Sequence, residues 1–172
     1  MPSPDVHICP AREADLEGIN RVIEAAVMTW HLPERVKRLS LPGYRYSSLD
    51  LEHLEIVIAE DDRQHTLGVA AWEPAEDGDA PAGKKALLLH GIYVDPPQHH
   101  RGIGRLLFSA AEHAVRSQDC DGLLVRAQQG ANGFFIAQGM ERLHVDSPAR
   151  QYANRFWKSR TAILETSEKT PS

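Results

Sequence analysis

The residues best suited to bind a ligand lie where an apolar segment turns into a glycine-containing helix start. This stretch runs from Val94 to Leu107 and reads Val-Asp-Pro-Pro-Gln-His-His-Arg-Gly-Ile-Gly-Arg-Leu-Leu. The first N–H groups of a helix have no partner within it, and the helix dipole adds positive potential there. Glycines at 102 and 104 let a phosphate approach the backbone, and Arg101 and Arg105 would strengthen its binding. The stretch predicts an anion site at a helix N-terminus.

Other glycine patterns fit this stretch less well. A lone Gly-x-Gly also serves tight helix packing without any ligand. A dinucleotide-binding turn needs a third glycine three residues after Gly104, where Leu107 stands. A nucleotide-triphosphate loop needs Gly-Lys-Ser/Thr, and that tripeptide does not occur in the chain.

At this point the chain resembles the GNAT superfamily of acyl-CoA N-acyltransferases. The family pattern is a central strand ending Val-x-Pro, followed by Gln/Arg-x-x-Gly-x-Gly/Ala and a helix. It corresponds here to Val94-Asp95-Pro96 and His99-x-x-Gly102-x-Gly104, with His99 in place of the usual Gln or Arg. The order of strands and helices is also similar to that of the family over residues 6–158. The resemblance implies an acetyltransferase that uses acetyl-CoA as its co-substrate.

The resemblance also implies which residues contact the cofactor. The family binds pyrophosphate mainly through backbone N–H groups, so binding is expected to survive the change at position 99. The last residues of the central strand are implied to splay from the parallel neighbour near Val125, and pantetheine would pair with them as an added strand. An N–H near Val94 would polarise the thioester carbonyl. The residues implied in cofactor binding are Ile92, Tyr93, Val94, His99, His100, Arg101, Gly102, Ile103, Gly104, Arg105 and Asn132, although a helix cap is the simpler use of Asn132.

His90 is the first candidate for a catalytic base. Strand alternation puts it on the same face as Leu88, Ile92 and Val94. One member of the family has catalytic histidines at the positions of His90 and Leu88, so the match is half complete. A neutral imidazole can take a proton, directly or through water, from an amine that attacks the thioester. A histidine satisfied in the core is the alternative interpretation.

The group that protonates the departing thiolate is left open by the sequence. The family often supplies a tyrosine in the helix after the fifth strand, and Phe135 stands at that position. Tyr152 or water could serve instead, or the thiolate could leave unprotonated. Packing against the sheet is the expected role of Phe134 and Phe135.

The acceptor side is less defined. Glu73 follows the third predicted strand and could face an amine, but it ranks below His90 because hairpin flanks carry exposed acids routinely. Trp30, Tyr44 and Tyr46 lie in a segment that, by the resemblance, helps to cover the acceptor. Four cations in or beside that segment could favour a carboxylate-bearing acceptor, although a solvated basic face is the expected interpretation. They are Arg35, Lys37, Arg38 and Arg45.

Hydrophobic periodicity predicts the elements that position these residues. The predicted strands cover residues 6–9, 54–59, 66–72, 86–94 and 122–127, with two closing strands near 142–145 and 151–157. The predicted helices cover residues 16–27 after an Asp15 cap, 102–117, and a short turn from Ala131 or Asn132 that Gly139 ends. Residues 30–48 are predicted as a short helix and loop, and residues 73–83 as a solvated acidic hairpin loop.

Together with the resemblance, these elements predict an α/β (α+β) fold. We expect a mixed, mostly antiparallel sheet of about seven strands with a splayed central parallel pair that holds acetyl-CoA, flanked by about four helices. Residues 1–165 are expected to form a single domain, and residues 166–172 a disordered tail.

Composition excludes several functional classes. The net charge of −5 argues against nucleic-acid binding, and the absence of a long apolar run argues against a membrane span. The start of the chain does not resemble a secretory signal, and the two cysteines, Cys9 and Cys120, suit reduced thiols, so a cytoplasmic location is expected. None of the nine histidines is spaced four residues from another, so no metal site is expected.

The sequence therefore predicts an N-acetyltransferase in which a primary amine attacks acetyl-CoA directly. The amine could belong to a small molecule or to a protein, and a homodimer is left open as the assembly. A non-catalytic acyl-CoA sensor of the same fold is the alternative, and an enzyme that uses a longer acyl-CoA is a third interpretation.

Overall fold

A computed structural model of the 172-residue chain describes residues 5–144 and 154–169. The described chain contains seven strands and six α-helices. The strands are β1 His7–Pro10, β2 Glu55–Glu60, β3 Thr66–Pro74, β4 Ala86–Val94, β5 Gly122–Arg126, β6 Glu141–Arg142 and β7 Arg155–Ser159. The α-helices are α1 Leu16–Met28, α2 Glu34–Tyr44, α3 Ser48–His53, α4 Ile103–Ser117, α5 Asn132–Ala137 and α6 Arg160–Lys169.

The seven strands form one sheet in the order β1-β2-β3-β4-β5-β7-β6. β1 pairs antiparallel with β2, β5 with β7, and β6 with β7, whereas β4 and β5 pair in parallel. A parallel pair needs a crossover between its strands, and α4 supplies it. The predicted fold class is confirmed, although the described residues contain more helices than the four expected.

The described residues fall into two compact units. The first holds residues 5–71 and 92–110, and the second holds residues 72–91, 111–144 and 154–169. β3, β4 and α4 each contribute residues to both units. The prediction of a single domain over residues 1–165 stays a prediction.

The first unit is built around the buried stripe of α1. Ile19, Val22, Ile23, Ala26 and Val27 lie at three- and four-residue steps along the helix and are all buried, as their spacing predicts. They pack in one cluster with apolar side chains of the sheet, among them Ile56, Ile58, Val69 and Tyr93. Burial of this stripe is the main force that holds α1 on the sheet.

The segment between Trp30 and Ser48 is more helical than the sequence predicted. α2 runs for eleven residues with Pro42 near its end, and α3 begins at Ser48 after a capping box formed by Ser47 and Asp50. Lys37 was expected on a solvated basic face, but it is only 6% exposed. Its ammonium donates to the Met28 carbonyl at 2.9 Å and lies 2.8 Å from the Glu34 carboxylate. The face therefore lacks one of its four predicted cations.

The second unit contains the parallel pair. Leu88 of β4 lies beside Leu124 of β5, and Leu124 lies beside Trp157 of β7. These residues form an apolar cluster on one face of the sheet, together with Ala75 and Ala80 from the segment that joins β3 to β4. Glu73, His90, Arg126 and Arg155 each lie two positions from a residue of this cluster, on the same face of the sheet.

The C-terminal elements differ from the sequence prediction. The strands are β6 at Glu141–Arg142 and β7 at Arg155–Ser159, shifted from the predicted 142–145 and 151–157. Val145 and residues 151–153 lie outside the described residues. α6 continues to Lys169, where a disordered tail was expected from Thr166. The Ser159 hydroxyl accepts a hydrogen bond from the Ala162 N–H and caps this helix, and Ile163 is fully buried.

A buried ion pair stabilises the second unit. The Lys158 side chain is 2% exposed, and its ammonium lies 2.8 Å from the Glu112 carboxylate of α4. The same ammonium donates to the Gln138 carbonyl at 2.8 Å, just after α5 ends. Lys158 therefore connects β7 to the end of α5 and to α4, at a position where an unpaired charge would be costly.

Candidate active site

The turn between β4 and α4 has the backbone shape of an anion site. Pro96–Gln98 form a single 3-10 turn, and α4 begins at Ile103. His100 and Gly102 both have positive φ angles, 63° and 80°. Alternation of right- and left-handed residues turns successive N–H groups toward one side and forms a concave anion-binding nest. At Gly102 this conformation is available without the strain that a side chain adds.

The N–H groups of this turn are available to a ligand. Within the described residues, no acceptor is found for the amides of Gly102, Ile103, Gly104 and Arg105. The first i→i−4 hydrogen bond of the helix runs from Leu106 N–H to Gly102 C=O at 3.1 Å. A Cβ placed on Gly102 would meet no atom within 4 Å, so the space beside it is open. The first turn carries no acidic residue, and Arg105 there is exposed. These features fit a diphosphate group.

Several contacts hold the turn in place. Asp95 N–H donates to Leu67 C=O at 2.9 Å, which anchors the end of β4 to β3. Arg21 of α1 donates to the Thr66 carbonyl at 3.0 Å and lies 3.3 Å from the Asp95 carboxylate. The His99 Nε2 lies 3.1 Å from Val94 C=O and, as Nε2–H, donates to it across the turn. His99, which stands where the family pattern has Gln or Arg, therefore stabilises the backbone of the turn through this hydrogen bond.

Gly68 allows the start of α4 to approach β3 closely. A Cβ on Gly68 would lie 2.9 Å from a Leu107 methyl, 3.1 Å from an Ile103 methyl and 3.1 Å from the Tyr93 carbonyl. A side chain at this position would push the first turn of the helix away from the strand. The glycine therefore helps to fix where the free amides point.

The parallel pairing between β4 and β5 ends before β4 does. The last paired residues are Leu89 and Val125, and β4 continues for five more residues to Val94. Within the part of the chain that the structure describes, this edge of β4 does not pair with β5 beyond Leu89. Such an edge can accept hydrogen bonds from, and donate them to, an extended amide-containing ligand.

His90 follows directly after the last paired residue of β4 and forms a pair with Glu73. Its Nε2 lies 3.0 Å from the Glu73 Oε1, and the two side chains are 34% and 37% exposed. A carboxylate can only accept, so Nε2 carries a proton, and in the neutral imidazole Nδ1 has the lone pair. The described residues provide no partner for Nδ1. The imidazole is therefore oriented by one nitrogen while the other is free to accept a proton.

Residues 24–140 of the chain match the family model of the acetyltransferase (GNAT) family. This match covers well over half of the sequence. The chain belongs to the GNAT family of acetyltransferases. No curated protein sequence matches the chain significantly.

Several solved structures share the fold of this chain. The PaiA N-acetyltransferase from Thermoplasma acidophilum, in complex with coenzyme A, is similar with a TM-score of 0.72 and 14% identity, over 90% of this chain and 99% of that one. A mutant AtaT toxin bound to the C-terminus of the antitoxin AtaR and to acetyl-CoA has a TM-score of 0.63 and 16% identity, over 96% and 99%. The KacTA–DNA complex has a TM-score of 0.66 and 15% identity, over 96% and 100%. At these identities the likeness shows the fold alone.

The other predicted cofactor residues of this GNAT chain take different positions. Ile92 and Val94 are half-buried, whereas Tyr93 points to the opposite face and is buried against Tyr44, with ring centroids 6.4 Å apart. Burial raises the pKa of the Tyr93 phenol. Any contact of Tyr93 with a cofactor would therefore be made by its backbone. The Asn132 Oδ1 accepts a hydrogen bond from Asn154 at 2.7 Å, and Ala131 is the residue that precedes α5.

Phe135 is not a proton donor. It is 3% exposed and packs against Phe134 and Phe156, with ring centroids 5.2 Å and 6.2 Å away. This burial agrees with the packing role expected from the sequence. Tyr152, the other predicted candidate, lies outside the described residues.

The aromatic residues of the α1–α2 region pack within the first unit. Trp30 and Tyr44 make an edge-to-face contact with ring centroids 5.3 Å apart. The Asn20 side chain holds the backbone of Tyr46 through hydrogen bonds of 2.8 Å and 2.9 Å, and burial raises the pKa of the Tyr46 phenol. Arg45 lies 3.1 Å from the Glu24 carboxylate at the surface. These contacts give the three aromatic side chains a packing role.

The described residues contain no group of three or more His, Cys, Asp or Glu side chains placed to bind a metal ion. None of the helices in the described part of the chain has the length and apolar character of a membrane span. Cys9 and Cys120 are free thiols.

Sequence reasoning ranked Glu73 well below His90 and did not consider that the two act as a pair. It also assigned no role to Arg126 and Arg155, which lie at the same end of the second unit. The available signal was the alternation of β3, β4, β5 and β7, but it identifies a shared face only when the strand register is known.

Proposed function

We propose that this GNAT-family chain is an N-acetyltransferase that transfers the acetyl group of acetyl-CoA to a primary amine by direct attack. The observation that carries the proposal is the Glu73–His90 pair, which stands just beyond the last paired residues of β4 and β5. A sensor that only holds acyl-CoA has no need of an oriented imidazole with a free nitrogen.

In this proposal the turn before α4 binds the coenzyme. The amides of Gly102, Ile103 and Gly104 would hold the diphosphate, with Arg101 and Arg105 adding positive charge. The edge of β4 beyond Leu89 would pair with the pantetheine amides, and backbone N–H near Val94 would polarise the carbonyl. The support for this is the unpaired state of those amides and the open space beside Gly102.

His90 would serve as the general base. As the amine nitrogen attacks, a C–N bond forms, the C–S bond breaks, and Nδ1 of His90 takes the proton that the nitrogen loses, directly or through water. Glu73 would hold the ring through Nε2–H and stabilise the imidazolium that forms. Phe135 has no ionisable group, so the departing thiolate would take a proton from water or Tyr152, or would leave unprotonated.

A screen of primary amines by release of the free coenzyme A thiol tests the proposal, combined with a thermal-shift measurement of acetyl-CoA binding. His90→Ala should lower the turnover about 100-fold or more while leaving acetyl-CoA affinity unchanged. His113→Ala removes an exposed histidine of α4 and is the matched control, with turnover expected to match the wild type. Competition among acyl-CoA lengths tests the preference for acetyl.

Two results would overturn the proposal. If acetyl-CoA bound but no amine led to thiol release, the non-catalytic sensor would be the better interpretation. If His90→Ala kept full turnover, His90 would have no part in the mechanism. The cytoplasmic location, the absence of nucleic-acid partners and the assembly state stay predictions from the sequence.

A further inference from the structure

Four ionisable residues of the second unit lie side by side on one face of the sheet. The apolar cluster there contains one residue from each of four strands: Ala75 next to β3, Leu88 of β4, Leu124 of β5 and Trp157 of β7. Because strand side chains alternate between faces, the residue two positions away in each strand lies on the same face. Those residues are Glu73, His90, Arg126 and Arg155.

The strand register places three of these residues, His90, Arg126 and Arg155, at one level, and Glu73 reaches His90 from the neighbouring strand at 3.0 Å. Arg126 is directly opposite Arg155 in the β5–β7 ladder. His90 and Arg126 each follow directly after the last paired residues of β4 and β5, Leu89 and Val125. Neighbouring strands are about 4.8 Å apart where they pair, and His90 and Arg126 lie one residue beyond the last such level, Leu89 and Val125. A guanidinium therefore stands on the strand next to the proposed base, on the same face.

Both guanidiniums contact Asp79, but only Arg126 contacts its carboxylate. Arg126 forms an ion pair with Asp79, from the segment between β3 and β4, and Arg155 donates to the backbone carbonyl of the same residue. Arg155 is 4% exposed, and its buried Nε–H has no hydrogen-bond acceptor. No carboxylate in the described part of the chain lies within ion-pair distance of Arg155. Among the described residues, the cluster therefore has two guanidiniums and one carboxylate that pairs with either of them.

Arg126 is the member of the cluster that a ligand can reach. Its side chain is 40% exposed, and Asp79 engages one of its terminal nitrogens, Nη2. A guanidinium has five N–H donors in a planar fork, so donors remain for a second anion. Carboxylates fit this fork with two parallel hydrogen bonds.

We infer that the acceptor is an amine that also carries a carboxylate, with its nitrogen at His90 and Glu73 and its carboxylate at Arg126. This inference rests on the proposed acetyl transfer. The negative Glu73 and the positive Arg126 lie on either side of His90, and such an acceptor has the same opposite charges at its two ends. Because His90 and Arg126 lie on neighbouring strands, one residue beyond a paired level, the inferred acceptor is a small molecule that carries its amine and its carboxylate close together, such as an amino acid.

Matched acceptor pairs test the inference. Each pair consists of an amino acid and the amine left when its carboxylate is removed, for example lysine with cadaverine and tyrosine with tyramine. The wild-type kcat/KM, measured by thiol release, should be about tenfold or more higher for the carboxylate-bearing member of at least one pair. Arg126→Gln should remove that preference, lowering kcat/KM for the amino acid about tenfold or more and leaving its partner amine within about twofold.

Two controls separate recognition from a loss of structure. Arg160→Gln removes an arginine of the same unit that pairs with Asp119 at the surface, and it should change neither member of a pair. The affinity of Arg126→Gln for acetyl-CoA, measured by calorimetry, should equal that of the wild type if the fold is intact. Arg126→Lys keeps the positive charge but loses the planar guanidinium, so it should retain part of the preference for the carboxylate-bearing acceptor.

The outcomes are distinguishable. Equal wild-type turnover of both members of every pair, or an Arg126→Gln variant that slows both members equally, would overturn the carboxylate inference and leave the acetyltransferase proposal standing. Binding of acetyl-CoA without thiol release for any amine, with or without a carboxylate, would overturn both.

Discussion

Replacement of Glu73 by Gln tests whether this carboxylate acts through His90. Gln has nearly the same shape, and its amide oxygen can still accept a hydrogen bond from Nε2–H, so the change removes a charge and keeps the contact. In the structure the carboxylate oxygen lies 3.0 Å from Nε2, and the two side chains are about one-third exposed. A shielded charge-assisted hydrogen bond contributes about 1.5–3 kcal/mol. Solvent screening at this exposure reduces that contribution to about 1–2 kcal/mol.

The expected loss of turnover is therefore about 5- to 30-fold. It arises because the imidazolium that forms on proton transfer loses its counter-charge. The rate of thiol release at saturating acetyl-CoA should be compared for the wild type, Glu73→Gln, His90→Ala and the double variant. Since Glu73 acts only through the imidazole in this mechanism, the double variant should be no slower than His90→Ala. Glu76→Gln removes the same charge from an exposed position three residues away and is the control.

Two results would refute this reasoning. If the losses from Glu73→Gln and His90→Ala multiplied in the double variant, Glu73 would act on the acceptor independently of His90. If Glu73→Gln raised KM for the amine and left kcat unchanged, the carboxylate would bind the acceptor without stabilising the imidazolium.

Three further predictions concern the cofactor turn and the fold. Gly102→Ala should weaken acetyl-CoA binding, measured by calorimetry, about tenfold, because the added Cβ would fill the open space beside the nest. Gly83 also has a positive φ, 75°, and open space beside it, so Gly83→Ala adds the same backbone strain away from the turn. This control should leave acetyl-CoA binding unchanged. Lys158→Met should lower the free energy of unfolding in urea by about 3 kcal/mol, because it leaves a carboxylate of α4 without its cation; an unchanged midpoint would contradict this. Tyr46 and Tyr93 should stay protonated at about pH 11 in the folded protein, because burial raises the pKa of both phenols above the usual value of about 10. The stability from these neutral phenols is complete below about pH 10 and is lost as the pH rises further, so absorbance at 295 nm should show them titrating only with unfolding.

The parts of the fold that sequence reasoning predicted well are those in which one strong pattern covers the whole element. β4 was predicted at residues 86–94 and has these bounds in the structure, because its apolar run is continuous and prolines end it. α4 was predicted from 102 to 117 and begins one residue later, since Gly102 adopts a positive φ that a helix excludes. The family prediction came from the junction of these two elements and is confirmed by the family match.

The parts that sequence reasoning missed depend on tertiary contacts. α6 is polar enough to suggest a frayed tail, yet Ile163 is fully buried and the Ser159 hydroxyl caps the first turn. Lys37 reads as a surface cation, but the Met28 carbonyl at the end of α1 lies within reach of its ammonium. In both cases burial and a specific hydrogen bond outweigh the local composition.

The pairing of Glu73 with His90 could not be predicted because it depends on the register of a hairpin. The residues between β3 and β4 form a long connection, and the hydrogen bond from Ala75 N–H to Ala86 C=O fixes where the two strands meet again. A shift of one residue in that register would move Glu73 to the opposite face of the sheet. The sequence showed two ionisable residues seventeen positions apart, and only the strand pairing made them neighbours.

The same dependence on register explains why the acceptor side was harder to predict than the coenzyme side. The coenzyme turn is a continuous stretch of chain, so its chemistry is visible in the order of its residues. The acceptor side takes one residue from each of four strands, and in each strand an apolar residue lies two positions from an ionisable one. Once the strands are aligned, the four ionisable residues lie on one face, three of them at one level, and Arg155 is buried there without a carboxylate partner among the described residues. Buried and half-buried charges cost desolvation, a cost that apolar residues at these positions would not have. Recognition of a charged acceptor beside His90 is a function that accounts for this arrangement.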